Sequence, residues 1–187
     1  MTRSGIEIDK QFRLFLSSKP DKSFPISLLK AGIKMTIESP RGLKNNLKQN
    51  FGPGGFVNRK LFDTEDYGSH WKRLLFSLGF IHALIHERKK FGPLGWNLPY
   101  EFNSSDFEVA VLQLQSMLVV SPENIPFGDL QYITGEVIYG GRVTDDYDRR
   151  CLLSVLSNFF CNEAIAEEHF YGDNNVISFK LKLILID

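Results

Sequence analysis

Two histidines four residues apart, His82 and His86, with Glu87 after the second, are the first grouping here whose residue types could do chemistry. On a helix that spacing turns both imidazoles to one face, as a zinc ion needs. The order argues against it. In the zinc-protease pattern a glutamate directly follows the first histidine, and Ala83 stands in that place. His82 also falls within an apolar stripe, so a packed or interfacial histidine is expected and no metal ligand is assigned. A phosphate-cradling loop needs glycines followed by Lys and then Ser or Thr. The stretch Gly52-Pro53-Gly54-Gly55 is followed by Phe56-Val57 instead and is expected to be a connector. Asp145, Asp146, Asp148, Arg149 and Arg150 could supply paired carboxylates or hold magnesium. Their spacing fits a helix start better, with acids in the first turn and Asp145–Arg149 and Asp146–Arg150 each placing the acid four residues ahead of the base. No Ser or Cys has a His and an acid in an arrangement that would define a catalytic triad. The expectation is no catalytic, no cofactor-binding and no metal residue in this chain.

The elements that would position these residues follow from periodicity. Phe12, Leu14 and Leu16 alternate along Gln11 to Ser17, which predicts a short strand ended by Lys19-Pro20. Pro25 to Glu38 reads as a turn and then a second strand through Ile33, Met35 and Ile37. Ser39-Pro40 opens a helix carrying Leu43 and Leu47, which stops before Gly52. From Tyr67 to Lys90, Trp71, Leu74, Leu75, Leu78, Ile81 and Ile85 recur at spacings of three and four, the strongest helical stripe in the chain. Another helix starts near Ser105, where Ser105 and Glu108 have capping-box spacing, and buries Phe107, Val111, Leu114 and Leu118 before Ser121-Pro122. A shorter helix is predicted over Phe127 to Val137. A last one follows Thr144 with Tyr147, Cys151, Val155, Leu156 and Phe159 on its core face. The tail, Val176 to Asp187, alternates and then turns wholly apolar, a strand-like pattern.

Composition bounds the partners. Lys plus Arg and Asp plus Glu both number 22, so no net field draws the chain to nucleic acid or an acidic membrane. No apolar run is long enough to span a bilayer. Cys151 and Cys161 lie ten positions apart on one expected helix, a rise of roughly 15 Å that a disulfide does not bridge, and two buried free thiols in a reducing compartment are expected. The 16 Phe point to a packed interior or a protein interface.

Four strings in order carry a resemblance: FRLFLSSKPDKSFP from Phe12, IKMTIESPRGL from Ile33, FIHALIHERKKFGPLGWNLPYE from Phe80 and YITGEVIYGGRVTDDYDRR from Tyr132. Over about residues 8 to 170 this series resembles dynein heavy chains, from the end of the sixth AAA+ module through its helical lid. GPLGWN and YGGRVTDD are its most specific strings, and their form is closer to axonemal than to cytoplasmic dyneins.

The resemblance implies a mainly α fold with a small α/β portion, in which short strands and a helix close an AAA+ large subdomain and a helical lid bundle follows. The implied divisions are 1–50 for the end of the large subdomain, 51–66 for a linker, 67–165 for the lid and 166–187 for a divergent tail. Ser17 and Ser18 occupy the strand end where AAA+ enzymes keep a polar sensor, but without the preceding nucleotide-binding half they are not assigned as a site. The resemblance further implies a non-catalytic segment of a motor whose parent hydrolyses ATP, with ATP and Mg in other modules. Expected partners are those modules, the carboxyl-terminal region and dynein complex subunits, with microtubules reached only through the parent. The implied setting is the cytoplasm and cytoskeleton, in the axoneme of a cilium or flagellum. A second reading is a free-standing helical interaction module that binds a dynein or cytoskeletal partner through an exposed aromatic patch.

Overall fold

A computed structural model of the chain describes residues 9–18, 21–35, 39–166, 169 and 171. Two compact units result, Met1–Glu38 and Ser39–Asp187.

In the first unit the described residues 12–18 are irregular and exposed, and α1 (Ile26–Ala31) forms where a turn was expected. The strands expected over 11–17 and 33–37 are not formed among the described residues, and 36–37 lie outside them. A strand needs a neighbour to take its backbone N–H and C=O groups. Alternating side chains supply no such neighbour, so periodicity alone overstates the strand. Ser17 and Ser18 sit in this exposed irregular stretch.

All regular elements among the described residues of the second unit are helical, which agrees with the mainly α expectation. Its elements are α2 (Leu43–Phe51), α3 (Arg59–Asp63), α4 (Trp71–Arg88), α5 (Ser104–Val120), α6 (Phe127–Tyr132) and α7 (Asp146–Phe159). Short 3-10 turns follow α4 (Lys89–Leu94) and α7 (Glu163–Ile165), and a π turn (Ile133–Ile138) continues α6. The central element is α4, on which α2, α5 and α7 pack. All six residues of its expected stripe are fully buried. Each such burial is worth about 1.5–3 kcal/mol before the entropy of ordering is charged, so α4 needs neighbours on most of its circumference. Trp71 also donates its indole N–H to Leu61 O at 3.0 Å, tying α3 to the start of α4.

The expected 51–66 linker falls within the second unit and gives three side chains to its core. Phe51, Val57 and Phe62 are buried, and the Phe51 ring contacts those of Phe62 and Phe76. Gly55 lies so close to the end of α2 that a Cβ there would sit 2.3 Å from Gln49 O. Its glycine serves close approach, not flexibility. Unit boundaries follow contacts, and here the contacts carry α2 into the second unit.

Two further differences concern helix ends. The capping box of α5 is Asn103 with Asp106, not Ser105 with Glu108: the Asn103 side chain accepts from the Asp106 N–H at 3.1 Å and the Asp106 carboxylate accepts from the Asn103 N–H at 2.9 Å. Asn103→Ala should therefore cost about 1 kcal/mol in a urea titration, whereas Ser105→Ala, at an exposed helical position, should stay within about 0.5 kcal/mol. Equal effects would sink this assignment. On α7, Tyr147 is 70% exposed and Leu152 takes the buried place expected for it. Cys161 lies beyond the end of α7, and both cysteines are half-buried free thiols. The expected strand at 176–187 lies outside the described residues.

Candidate functional site

Most of the polar structure in the second unit gathers where the loop 89–103 meets the starts of α5 and α7. The chain leaves α4 through a tight turn at Gly95, where a Cβ would stand 1.8 Å from Arg88 O. No other residue type has room there. With the backbone that close, Arg88 Nη2 reaches Gly95 O and Cys151 Sγ, each at 2.9 Å, and its guanidinium lies over the Trp96 ring at 5.1 Å. The Trp96 indole N–H donates to Ile85 O at 3.1 Å, on the last turn of α4.

Asp148 closes the other side. It is 4% exposed and accepts three hydrogen bonds: from Asn97 N at 2.9 Å, Leu98 N at 3.2 Å and Tyr100 Oη at 2.9 Å. Asp145 caps α7 by accepting from the N–H groups of Tyr147 and Asp148, and it also accepts from Asn97 Nδ2 at 3.1 Å. These backbone bonds hold the Asp145 carboxyl below its ordinary range, with Asn97 adding to the effect. The acids at the start of α7 thus act on the helix start and on the loop. The expected Asp145–Arg149 and Asp146–Arg150 pairs are not what the arginines make. Arg149 bonds Glu136 Oε2 at 2.6 Å and Val143 O at 2.9 Å, while Arg150 lies over the Tyr147 ring at 4.8 Å. For Arg149, partners outside α7 outcompete the i,i+4 pair because an exposed pair contributes only about 0.2–0.5 kcal/mol.

Asp106 and Arg142 join α5 to the turn before α7 in a bidentate pair, with Nε–Oδ2 and Nη2–Oδ1 both at 2.9 Å. The two residues stand 36 positions apart, too far for helical spacing to have predicted the pair.

The histidines form a chain of their own. His82 Nδ1 lies 3.0 Å from the Tyr139 hydroxyl, His82 Nε2 lies 3.1 Å from His86 Nε2, and His86 Nδ1 lies 3.0 Å from Ser39 Oγ. Tyr139 is fully buried at the end of the π turn. Burial pushes the His82 imidazole down to about 3, with the nearby His86 adding to the effect. It also lowers His86, helped by Lys89 and opposed by Asp106, Glu101 and Glu87. The two ring nitrogens closest together are spent on each other, which is the packed arrangement expected. Among the described residues there is no group of three or more His, Cys, Asp or Glu placed to hold a metal ion. Nor, among them, is any helix long and apolar enough to cross a membrane.

What this arrangement does is hold a shape. It fixes the loop against three helices while leaving Phe91, Leu94 and Leu98 exposed on its outer side, Leu94 at 89%. The sequence profile of the dynein heavy chain AAA lid domain matches residues 71–182. The chain belongs to that family. Within the lid, the matched span contains α4 to α7, the 89–103 loop and both members of the histidine pair. Similar proteins include human dynein axonemal heavy chain 6, 44% identical over 169 residues that cover 90% of this chain and 4% of the relative. Human dynein axonemal heavy chain 3 is 48% identical over 162 residues, 87% of this chain and 4% of its own length. Mouse dynein axonemal heavy chain 12 is 46% identical over 165 residues, 85% and 5% respectively. The chain therefore spans about one twentieth of the length of these relatives.

Asp106, Arg142, Asn103, Arg88 and Tyr100 are the lid residues that periodicity did not single out. Arg142 lies in the specific string YGGRVTDD, and Arg88 and Tyr100 in the longer string from Phe80 to Glu101, whereas Asn103 and Asp106 lie outside every string that carried the resemblance.

Proposed function

We propose that this chain is the helical lid segment of an axonemal dynein heavy chain, following the sixth AAA+ module, and that it performs no catalysis by itself. The observation that carries this reading is the lid-family match over residues 71–182. The axonemal heavy chains at 41–48% identity give it its setting. In this reading the parent motor binds ATP and Mg in other modules and moves along microtubules in a cilium or flagellum. The lid packs against neighbouring modules and the carboxyl-terminal region, and it passes their shape changes on as a rigid body. A loop tied by Trp96, Arg88 and Asp148 suits that task, since a side chain held by several partners transmits displacement with little slack.

A chimera tests it. This chain replaces the corresponding segment of an axonemal dynein heavy chain, and ATP-driven microtubule gliding is measured. Retained gliding is expected, together with no ATP hydrolysis and no microtubule co-sedimentation by the 187-residue chain alone. Hydrolysis by the purified chain, or a folded chimera that binds ATP without gliding, would overturn the reading.

The exposed Phe91, Leu94 and Leu98 favour a second reading, a helical module that binds a dynein or cytoskeletal partner through this loop. It predicts that Leu94→Asp in the chimera abolishes assembly with that partner while gliding by the isolated motor persists.

A further inference from the structure

The segment Ser39–Gly42 is strapped to the end of α4. Ser39 Oγ meets His86 Nδ1 at 3.0 Å, and the Gly42 N–H and the Asn46 side-chain amide both donate to Glu87 Oε1 at 2.7 Å. Lys90 pairs with the same carboxylate and reaches Pro40 O at 3.5 Å. Ser39 is exposed, and Pro40 follows it directly. Through His86 and His82 this surface hydroxyl is joined to the Tyr139 phenol in the core. Neither the lid-family match nor the proposed motor role assigns anything to this strap.

We propose that Ser39 is a phosphorylation site for a proline-directed protein kinase, its phosphate received by His86 and Lys90. Pro40 has no N–H and biases the preceding residue to an extended backbone, the form in which a kinase groove that selects proline after the acceptor takes its substrate. In the transfer, Ser39 Oγ attacks the γ-phosphorus of ATP and a new Oγ–P bond forms. The Oγ–H proton passes to the kinase's base, the bond from phosphorus to the leaving oxygen breaks, and ADP departs.

The neighbours decide the consequence. A serine hydroxyl both donates and accepts, so the unmodified chain of hydrogen bonds can run in either direction. A phosphate dianion only accepts. His86 must then hold its proton on Nδ1. While it is neutral, its Nε2 accepts from His82 Nε2–H, and His82 Nδ1 accepts from the Tyr139 hydroxyl. One modification at the surface sets the polarity of the whole chain into the core. The charged groups around His86 are Lys89, which disfavours the imidazolium, and Asp106, Glu101 and Glu87, which favour it. A phosphate joins the second set. The other Ser-Pro in the chain, Ser121-Pro122, is an internal comparison. It is half-buried, and its N–H closes α5 onto Met117 O at 3.0 Å.

The full 187-residue chain is incubated with a proline-directed kinase and ATP, the modified position is mapped by mass spectrometry, and the histidine rings are followed by nitrogen-15 NMR. The expected result is phosphate on Ser39, lost in Ser39→Ala and kept in Ser121→Ala. The His86 titration midpoint should move up by about one pH unit or more, with the proton fixed on Nδ1 in the neutral ring. Circular dichroism shows that each variant keeps its helices. An unmodified Ser39 on the folded chain overturns the proposal. So does a phosphate at Ser39 that leaves the His86 titration and tautomer where they were.

Discussion

Asp148→Ala is expected to lower the stability of the chain by about 3–5 kcal/mol, a loss confined to the loop 89–103 and the start of α7. Two backbone N–H groups, of Asn97 and Leu98, and the Tyr100 hydroxyl all donate to the carboxylate in a site where its own exposure is 4%. Removing the acceptor loses three charge-assisted bonds, each worth about 1.5–3 kcal/mol, and takes the acceptor from the buried Tyr100 hydroxyl, while water can reach the N–H groups of the exposed Asn97 and Leu98 and keeps the total below the sum. Asp148→Asn separates shape from charge. It fills the same volume, but one oxygen becomes an N–H donor facing donors, so it should still cost about 2 kcal/mol or more. Urea unfolding followed by circular dichroism and Trp fluorescence measures both. An alanine variant within about 1 kcal/mol of the parent would mean that the loop is held without Asp148.

The second large effect is a fall in stability between about pH 6.5 and pH 4.5 that becomes shallower when His82 is replaced. Burial holds His82 near 3 in the folded chain, far below the ordinary imidazole value of 6.5 that it regains on unfolding. Above pH 6.5 the ring is neutral in both states and contributes no pH dependence. As pH falls below 6.5 the unfolded chain takes up a proton that the folded chain refuses, so stability declines by about 1.4 kcal/mol per pH unit until the folded ring titrates near pH 3. His86 and His169, lowered chiefly by burial, add to the slope in the same direction. Asp145 and Glu163, which lie below their ordinary values, start to release stability only lower in the acid range, so the upper window belongs to the histidines. His82→Gln keeps a polar group between Tyr139 and His86 and removes the titration. Its plot of stability against pH should be shallower by about 1.4 kcal/mol per unit, and parallel plots for the two proteins would rule out His82 as the source.

These two sites differ in how far the sequence revealed them. His82 stood in an apolar stripe, and the stripe alone implied that it was packed. Its hydrogen bond to Tyr139 was not implied, because Tyr139 comes 57 residues later on a π turn whose extra residue helical periodicity does not anticipate. Asp148 was visible as a first-turn acid of α7. Its use as the anchor of the loop depended on where 97–100 returns in space, which no local pattern encodes. The arginines illustrate the same limit. Arg149 was four residues from Asp145, yet Glu136 and Val143 O claim it in the fold.

By itself the sequence determined the helices whose apolar residues recur at helical spacing, since a stripe such as Trp71 to Ile85 can be buried in only one way. It also determined the family, through long strings that no single contact explains. The tertiary structure alone decided the rest. It packed α2 against α4 within the second unit, left residues 12–18 irregular, chose Asn103 over Ser105 as a cap, and joined Asp106 to Arg142. The physical reason is common to all of these. A periodic stripe is a local property of the chain, whereas a unit boundary, a strand partner or a buried hydrogen bond exists only between segments that the fold brings together.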